Sequence, residues 1–192
     1  MVDYTPELTT PGLQQPVLVV ANHPTLLDVT AILSAHPEMC CVVRARTFLN
    51  PGYFLLQLCC GHVLARGGFA GGIAVLEDIE RRLLAGHSVL VFLEGTRSPI
   101  GGLHAFRPGS IAMALRSGTP IQPVLVDVSE PMLNPHLSSR VVPIGVKMKV
   151  EVLPLLRQEG EGANTSVSAR RLTEQLGTMY RKHLGITAAP ND

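Results

Sequence analysis

His23 and Asp28 stand five residues apart just past an apolar run, Val17-Leu18-Val19-Val20-Ala21, and their types suit proton transfer. A carboxylate that accepts the proton on one imidazole nitrogen fixes the tautomer and leaves the other nitrogen free to act as a general base. The same residues also read as a helix start, with Thr25 as N-cap, Asp28 at the positive end of the helix and His23 as a loop residue. Both readings fit this segment alone. Two further polar clusters follow apolar runs: Arg66 after His62-Val63-Leu64-Ala65, and Glu94-Gly95-Thr96-Arg97-Ser98 after Ser88-Val89-Leu90-Val91-Phe92-Leu93. The fork of arginine matches phosphate or carboxylate, against the plainer alternative of a surface ion pair. Glu94 reads equally as a catalytic carboxylate, a buried partner of Arg97, or a cap for backbone N–H groups.

Strands must carry these residues. Short valine-rich apolar runs predict buried strands at 17–21, 40–43, 62–65, 88–93 and 121–126, with a more alternating one at 147–153. Pro123 predicts an edge position or a bulge for its strand. Helical spacing places Leu26, Val29, Ile32 and Leu33 on one face, and Ile73, Leu76, Ile79 and Leu83 on another. A third helix is predicted over 111–116. A last amphipathic helix over 166–183 turns Val167, Leu172, Leu176, Met179 and Tyr180 inward and Arg170, Arg171, Arg181 and Lys182 outward. Strands alternating with helices predict an α/β layered domain, its mixed, mostly parallel sheet flanked by helices. In such sheets ligands gather beyond the carboxyl ends of the strands, where all three polar clusters fall. The glycines at 67, 68, 71 and 72 are only a weak sign of a phosphate cradle and equally suit a flexible loop.

Composition narrows the classes. The 192 residues predict a single domain over 1–192, with residues 1–16 as an N-terminal extension without a transmembrane helix and 165–185 as the C-terminal amphipathic helix. A net charge of +1 argues against a nucleic-acid partner. The four cysteines form two adjacent pairs, Cys40-Cys41 and Cys59-Cys60, which lack metal or redox spacing and read as buried thiols in a reducing cytoplasm. The stretch from Phe48 to Cys60 is the most apolar and reads either as a core helix or as a partly exposed lipid-touching patch, in which Tyr53–Leu58 with Arg44 and Arg46 nearby would supply a one-sided membrane contact.

Four blocks together resemble the lysophospholipid and 1-acylglycerol-3-phosphate acyltransferase family. Asn22-His23-Pro24-Thr25-Leu26-Leu27-Asp28 is similar to its N-H-x-x-x-x-D block, and Gly61-His62-Val63-Leu64-Ala65-Arg66 to its second. Phe92-Leu93-Glu94-Gly95-Thr96-Arg97-Ser98 resembles the third, with Leu93 in place of the usual proline, and Thr119-Pro120-Ile121-Gln122-Pro123-Val124 the fourth. The order and spacing carry the likeness more than any single block. The resemblance implies His23 as base and Asp28 as its orienting acid. It implies Arg66, Glu94, Gly95, Thr96 and Arg97 at the acceptor's phosphate or headgroup, and Pro120 in an acyl-binding or structural part.

The expected activity is transfer of a fatty acyl group from acyl-CoA or acyl carrier protein, as co-substrate, to the hydroxyl of a lysophospholipid acceptor. No metal and no further cofactor is expected. The expected setting is the cytoplasm, peripheral on the cytoplasmic face of the membrane. Two alternatives stay open: a non-catalytic lipid-binding protein of the same fold, and an acyltransferase for an acceptor without phosphate. A G-x-S-x-G elbow and an H-E-x-x-H zinc motif, which would mark a hydrolase, are missing from the sequence.

Overall fold

A computed structural model of the chain describes residues 16–45, 61–137, 144–157 and 165–186. Arg46 and the stretch from Phe48 to Cys60, with Tyr53–Leu58 and the Cys59-Cys60 pair, lie outside the described residues. Strands β1 (Leu18–Ala21), β2 (Cys40–Arg44), β3 (Val63–Ala65), β4 (Val89–Phe92), β5 (Ile121–Val128) and β6 (Met148–Val152) form one sheet in the order β3-β2-β4-β1-β5-β6. β1 to β5 run parallel, and β6 pairs antiparallel with β5. The helices are α1 (Asp28–Ala35), α2 (Gly68–Leu84), α3 (Gly109–Arg116) and α4 (Thr165–His183). Among the described residues no helix is long and apolar enough to cross a membrane.

The strict alternation of β1 divides the core. Leu18 and Val20 point to the face covered by α2, α3 and α4, where they meet Ile79, Leu83, Ile111, Leu176 and Tyr180. Val17, Val19 and Ala21 point to the other face, toward Ile32 of α1 and Met132 of the segment that follows β5. Both faces of the central strand are covered, as its continuous apolar run requires. Cys40 and Cys41 are buried free thiols, and burial pushes the Cys41 thiol up to about 12.

Of the two settings expected for Pro123, the edge is excluded, because β5 lies inside the sheet between β1 and β6, and the bulge is found: the register pairs Val124 with Val152 but Ile121 with Leu156, one residue longer on the partner side. Proline offers no N–H to β6, yet the Leu153 N–H still reaches the Pro123 carbonyl at 3.0 Å. The reciprocal bond comes from the preceding side chain: Gln122 Nε2 donates to the Leu153 carbonyl at 2.6 Å. On the other side of β5, the Tyr180 hydroxyl accepts from the Val124 N–H at 3.0 Å and donates to the Val20 carbonyl at 2.7 Å. Two residues further on, the Asn22 amide continues the β1–β5 seam, donating to the Val126 carbonyl and accepting from its N–H, both at 2.8 Å. Side chains thus complete the seam just where the chain leaves β1 for His23.

Four smaller expectations also change. Thr25 is not the N-cap of α1: Leu27 holds that position, and the helix opens with Asp28 itself. Leu26, which precedes α1, and Ile73 and Val167, early in α2 and α4, are 43%, 43% and 63% exposed and do not join the buried faces.

Candidate active site

The parallel topology sets the ends of β1 to β4 along one edge of the sheet. His23 follows β1, Arg44 closes β2, Arg66 follows β3 and Glu94 follows β4. Because β4 lies next to β1, the Glu94 loop adjoins His23 directly. Arg66 stands three strand positions away, about 14 Å at the usual strand spacing.

His23 Nδ1 lies 2.9 Å from Asp28 Oδ2. The Asp28 side chain is wholly buried, whereas the His23 side chain keeps 17% of its surface exposed. Both Asp28 oxygens also accept from the Thr25 N–H at 3.2 Å, and the Thr25 hydroxyl accepts from the Leu27 N–H at 3.4 Å, so the Thr25-x-x-Asp28 capping arrangement and the His23–Asp28 pair occupy the same turn. Burial raises the Asp28 pKa, and the hydrogen bond with His23 opposes that rise. The imidazole stacks on Phe92 with ring centroids 4.2 Å apart. Ring stacking and the carboxylate together leave the imidazole one orientation.

Glu94 is 2% exposed and serves the backbone. Its Oε1 accepts from the His23 N–H at 3.1 Å and the Ser98 hydroxyl at 2.5 Å, and its Oε2 accepts from the His104 N–H at 2.8 Å. Burial raises its pKa, with the Ser98 bond the foremost opposing effect. Ser98 returns the link, its N–H donating to the His23 carbonyl at 2.8 Å. Glu94 therefore joins the two loops and is the backbone-capping alternative raised above.

Gly95 adopts φ +67, and a Cβ there would meet the Arg107 guanidinium at 3.2 to 3.4 Å. Arg44 Nη2 donates to the Gly95 carbonyl at 2.8 Å. Arg97 Nη1 donates to the Leu133 carbonyl at 2.7 Å, and Thr96 is half-buried beside it in the chain. Arg66 is exposed, its backbone pressed against α2 so closely that a Cβ on Gly71 would stand 2.5 Å from the Arg66 carbonyl oxygen. Gly71 is thus a packing glycine. Among the described residues Arg44, Arg66, Arg97 and Arg107 have no carboxylate at ion-pair distance, in contrast to Arg82 and Arg116. Pro120 precedes β5 at the opposite end of the sheet, where its carbonyl accepts from the Leu18 N–H, and is not brought to this cluster.

Sequence reasoning passed over Asn22, Ser98, Arg44, Arg107 and Asn134 as parts of the site. Asn22 and Ser98 were quoted within their blocks, and their polarity at buried strand ends was the available signal. Asn134 lies in a proline-rich stretch without periodicity and gave none.

A model of the family described as Acyltransferase matches residues 3–127. The chain is 28% identical over 114 residues to the 1-acyl-sn-glycerol-3-phosphate acyltransferase beta of Homo sapiens, covering 58% of this chain and 41% of that protein. It is 28% identical over 149 residues to the 1-acyl-sn-glycerol-3-phosphate acyltransferase alpha of Mus musculus, covering 76% and 52%. The chain thus spans about half the length of these curated relatives, or less. In fold it is similar to the crystal structure of the 1-acyl-sn-glycerophosphate acyltransferase PlsC from Thermotoga maritima, with a TM-score of 0.65 at 21% identity, over 92% of this chain and 69% of that one.

Proposed function

Because the chain belongs to the acyltransferase family, matched over residues 3–127, we propose that it moves a fatty acyl group from an acyl thioester to the hydroxyl of a lysophospholipid such as 1-acylglycerol-3-phosphate. The observation that carries this reading is the buried Asp28 carboxylate on Nδ1 of a partly exposed His23. With the Nδ1 proton engaged by Asp28, Nε2 is the nitrogen left to act as base. Nε2 takes the proton of the acceptor hydroxyl as its oxygen attacks the thioester carbonyl carbon. The tetrahedral adduct then expels the thiolate, which recovers the proton from the imidazolium, and the Asp28 carboxylate stabilises that cation while it exists. Base assistance of this kind contributes roughly 10²- to 10⁴-fold.

The arginines that have no carboxylate partner among the described residues support a phosphate-bearing acceptor, since a guanidinium whose charge is not balanced by the protein near the strand ends suits an anion that arrives with the substrate. Arg66 and Arg97 are assigned to that phosphate. Glu94 and Gly95 build the loop that presents Arg97, Thr96 belongs to the same loop, and Pro120 takes a structural part. Acyl-CoA or acyl carrier protein serves as donor, without metal or further cofactor, and the protein works peripherally at the cytoplasmic face of a membrane. The test is product formation from 1-acylglycerol-3-phosphate and from a phosphate-free monoacylglycerol, each supplied with acyl-CoA or acyl carrier protein. Transfer to the phosphate-bearing acceptor is expected. Transfer to the phosphate-free acceptor alone would overturn the phosphate assignment, and thioester hydrolysis without transfer would overturn the reaction class.

A further inference from the structure

We infer that Asn134, in the segment between β5 and β6, is a positioning residue that clasps the His23 loop to the Arg97 loop and so sets the geometry of the site. It resembles a side-chain strut more than a surface loop residue. Asn134 is buried, and both amide hydrogens and the carbonyl oxygen are engaged: Nδ2 donates to the Pro24 carbonyl at 3.1 Å and the Ser98 carbonyl at 2.8 Å, while Oδ1 accepts from the His136 N–H at 3.0 Å. Two amide hydrogens and one carbonyl oxygen are what such a bridge requires. Aspartate at this position would keep the acceptor and lose both donors.

The two carbonyls belong to the two halves of the site. Pro24 lies between His23 and Thr25, whose N–H binds the Asp28 carboxylate, so the Pro24 peptide fixes how the imidazole meets the acid. Ser98 binds Glu94 and the His23 carbonyl and adjoins Arg97 in sequence. The residue before Asn134 reaches the same loop from its other side, since the Leu133 carbonyl accepts from Arg97 Nη1. To present that carbonyl, Leu133 adopts φ +46, a left-handed conformation uncommon for a leucine. Met132, wholly buried against the core on the α1 face, anchors the clasp from below. Met132, Leu133 and Asn134 thus form a strap with one end in the core and two polar hands on the site. A side chain argued to act through others in this way contributes to near-attack geometry, where small displacements change rates strongly.

The role in catalysis rests on the proposed acyl transfer; the role in geometry does not, so two readouts are needed. Asn134→Ala and Asn134→Asp are compared with wild type in the intact chain by steady-state acyl transfer and by NMR titration of the His23 imidazole, Asp28, Glu94 and Arg97 being unchanged. A fall in kcat of about 10-fold or more, with donor KM held within about 2-fold, and a displaced His23 titration are expected. Asn134→Asp is expected to be no better than Asn134→Ala, because it restores neither donor. A lower melting temperature with unchanged kcat per folded molecule and an unmoved His23 titration would overturn the proposal, leaving Asn134 a stabilising residue only. Should the wild type transfer no acyl group, the acyltransferase reading fails, and the titration alone decides the positioning claim. Should a variant fail to fold, Asn134→Ser, whose hydroxyl can donate to one of the two carbonyls, is read in the same two ways.

Discussion

The Asp28 carboxylate is fully withdrawn from water while the His23 imidazole bound to it, at 2.9 Å, keeps an exposed edge. In the proposed mechanism this asymmetry divides the labour: the buried acid orients and the imidazole reacts. Burial raises the Asp28 pKa above its ordinary value, against the pull of the His23 bond. With a folded pKa above the unfolded one, the native state binds the proton more tightly, so ionised Asp28 costs stability at neutral pH. That cost fades as pH falls through the folded pKa toward the unfolded value. Asp28→Asn is therefore expected to melt no lower than wild type at neutral pH. Its amide would donate to Nδ1, force the proton onto Nε2 and lower kcat on the order of 10³- to 10⁴-fold. Thermal unfolding and acyl transfer on the same preparation check both halves; an active Asp28→Asn would remove Asp28 from the mechanism.

Glu94 separates a loop-holding role from a substrate contact. Glu94→Ala would leave the His23 and His104 N–H groups and the Ser98 hydroxyl without their acceptor, at a cost of roughly 3 kcal/mol or more. In a chain of this size that lowers the melting temperature by about 2–4 °C per kcal/mol. Glu94→Gln keeps one acceptor oxygen and is expected to lose less, about 1–2 kcal/mol. Variants as stable as wild type, with only acceptor KM raised, would assign Glu94 to the substrate instead.

The exchange between Gln122 and Pro123 can be measured as a coupling. Gln122→Ala leaves the buried Leu153 carbonyl without its donor and is expected to cost about 1–3 kcal/mol. In a Pro123→Ala background the restored backbone N–H can reach that carbonyl, so the same substitution should cost about 1 kcal/mol less. Additive effects in denaturant unfolding would show that the Gln122 amide does not replace the proline's missing donor.

What could be read from the chain was whatever is local or periodic. The strands show as apolar runs because both sheet faces are covered, and the five-residue spacing of His23 and Asp28 spans a single turn. The role of Glu94 stayed divided in sequence because His104, one of its three donors, arrives from beyond the following loop. Pro123 marked a bulge, which the β5–β6 register contains, but that the Gln122 side chain supplies the donor the proline lacks was not legible, because it depends on Leu153 from a distant strand. The Thr25-x-x-Asp28 turn was legible, but the N-cap position itself falls on Leu27, next to the first helical residue Asp28. Helical arithmetic found the buried faces around Ile79 and Leu176 but could not show that Ile73 and Val167, near the helix starts, stay exposed. Tyr180 was recognised as an inward residue of the last helix, while its hydroxyl's place in the β1–β5 seam depends on a contact with Val20, 160 residues away.

The central claim, that His23 is the base of an acyl transfer, is tested most directly by comparing wild type and His23→Ala in single-turnover reactions with 1-acylglycerol-3-phosphate and an acyl thioester donor. The account predicts transfer by the wild type and a loss of roughly 10³-fold or more in His23→Ala, with thermal unfolding within a few degrees because the imidazole is partly exposed. Equal rates in the two folded proteins would contradict it.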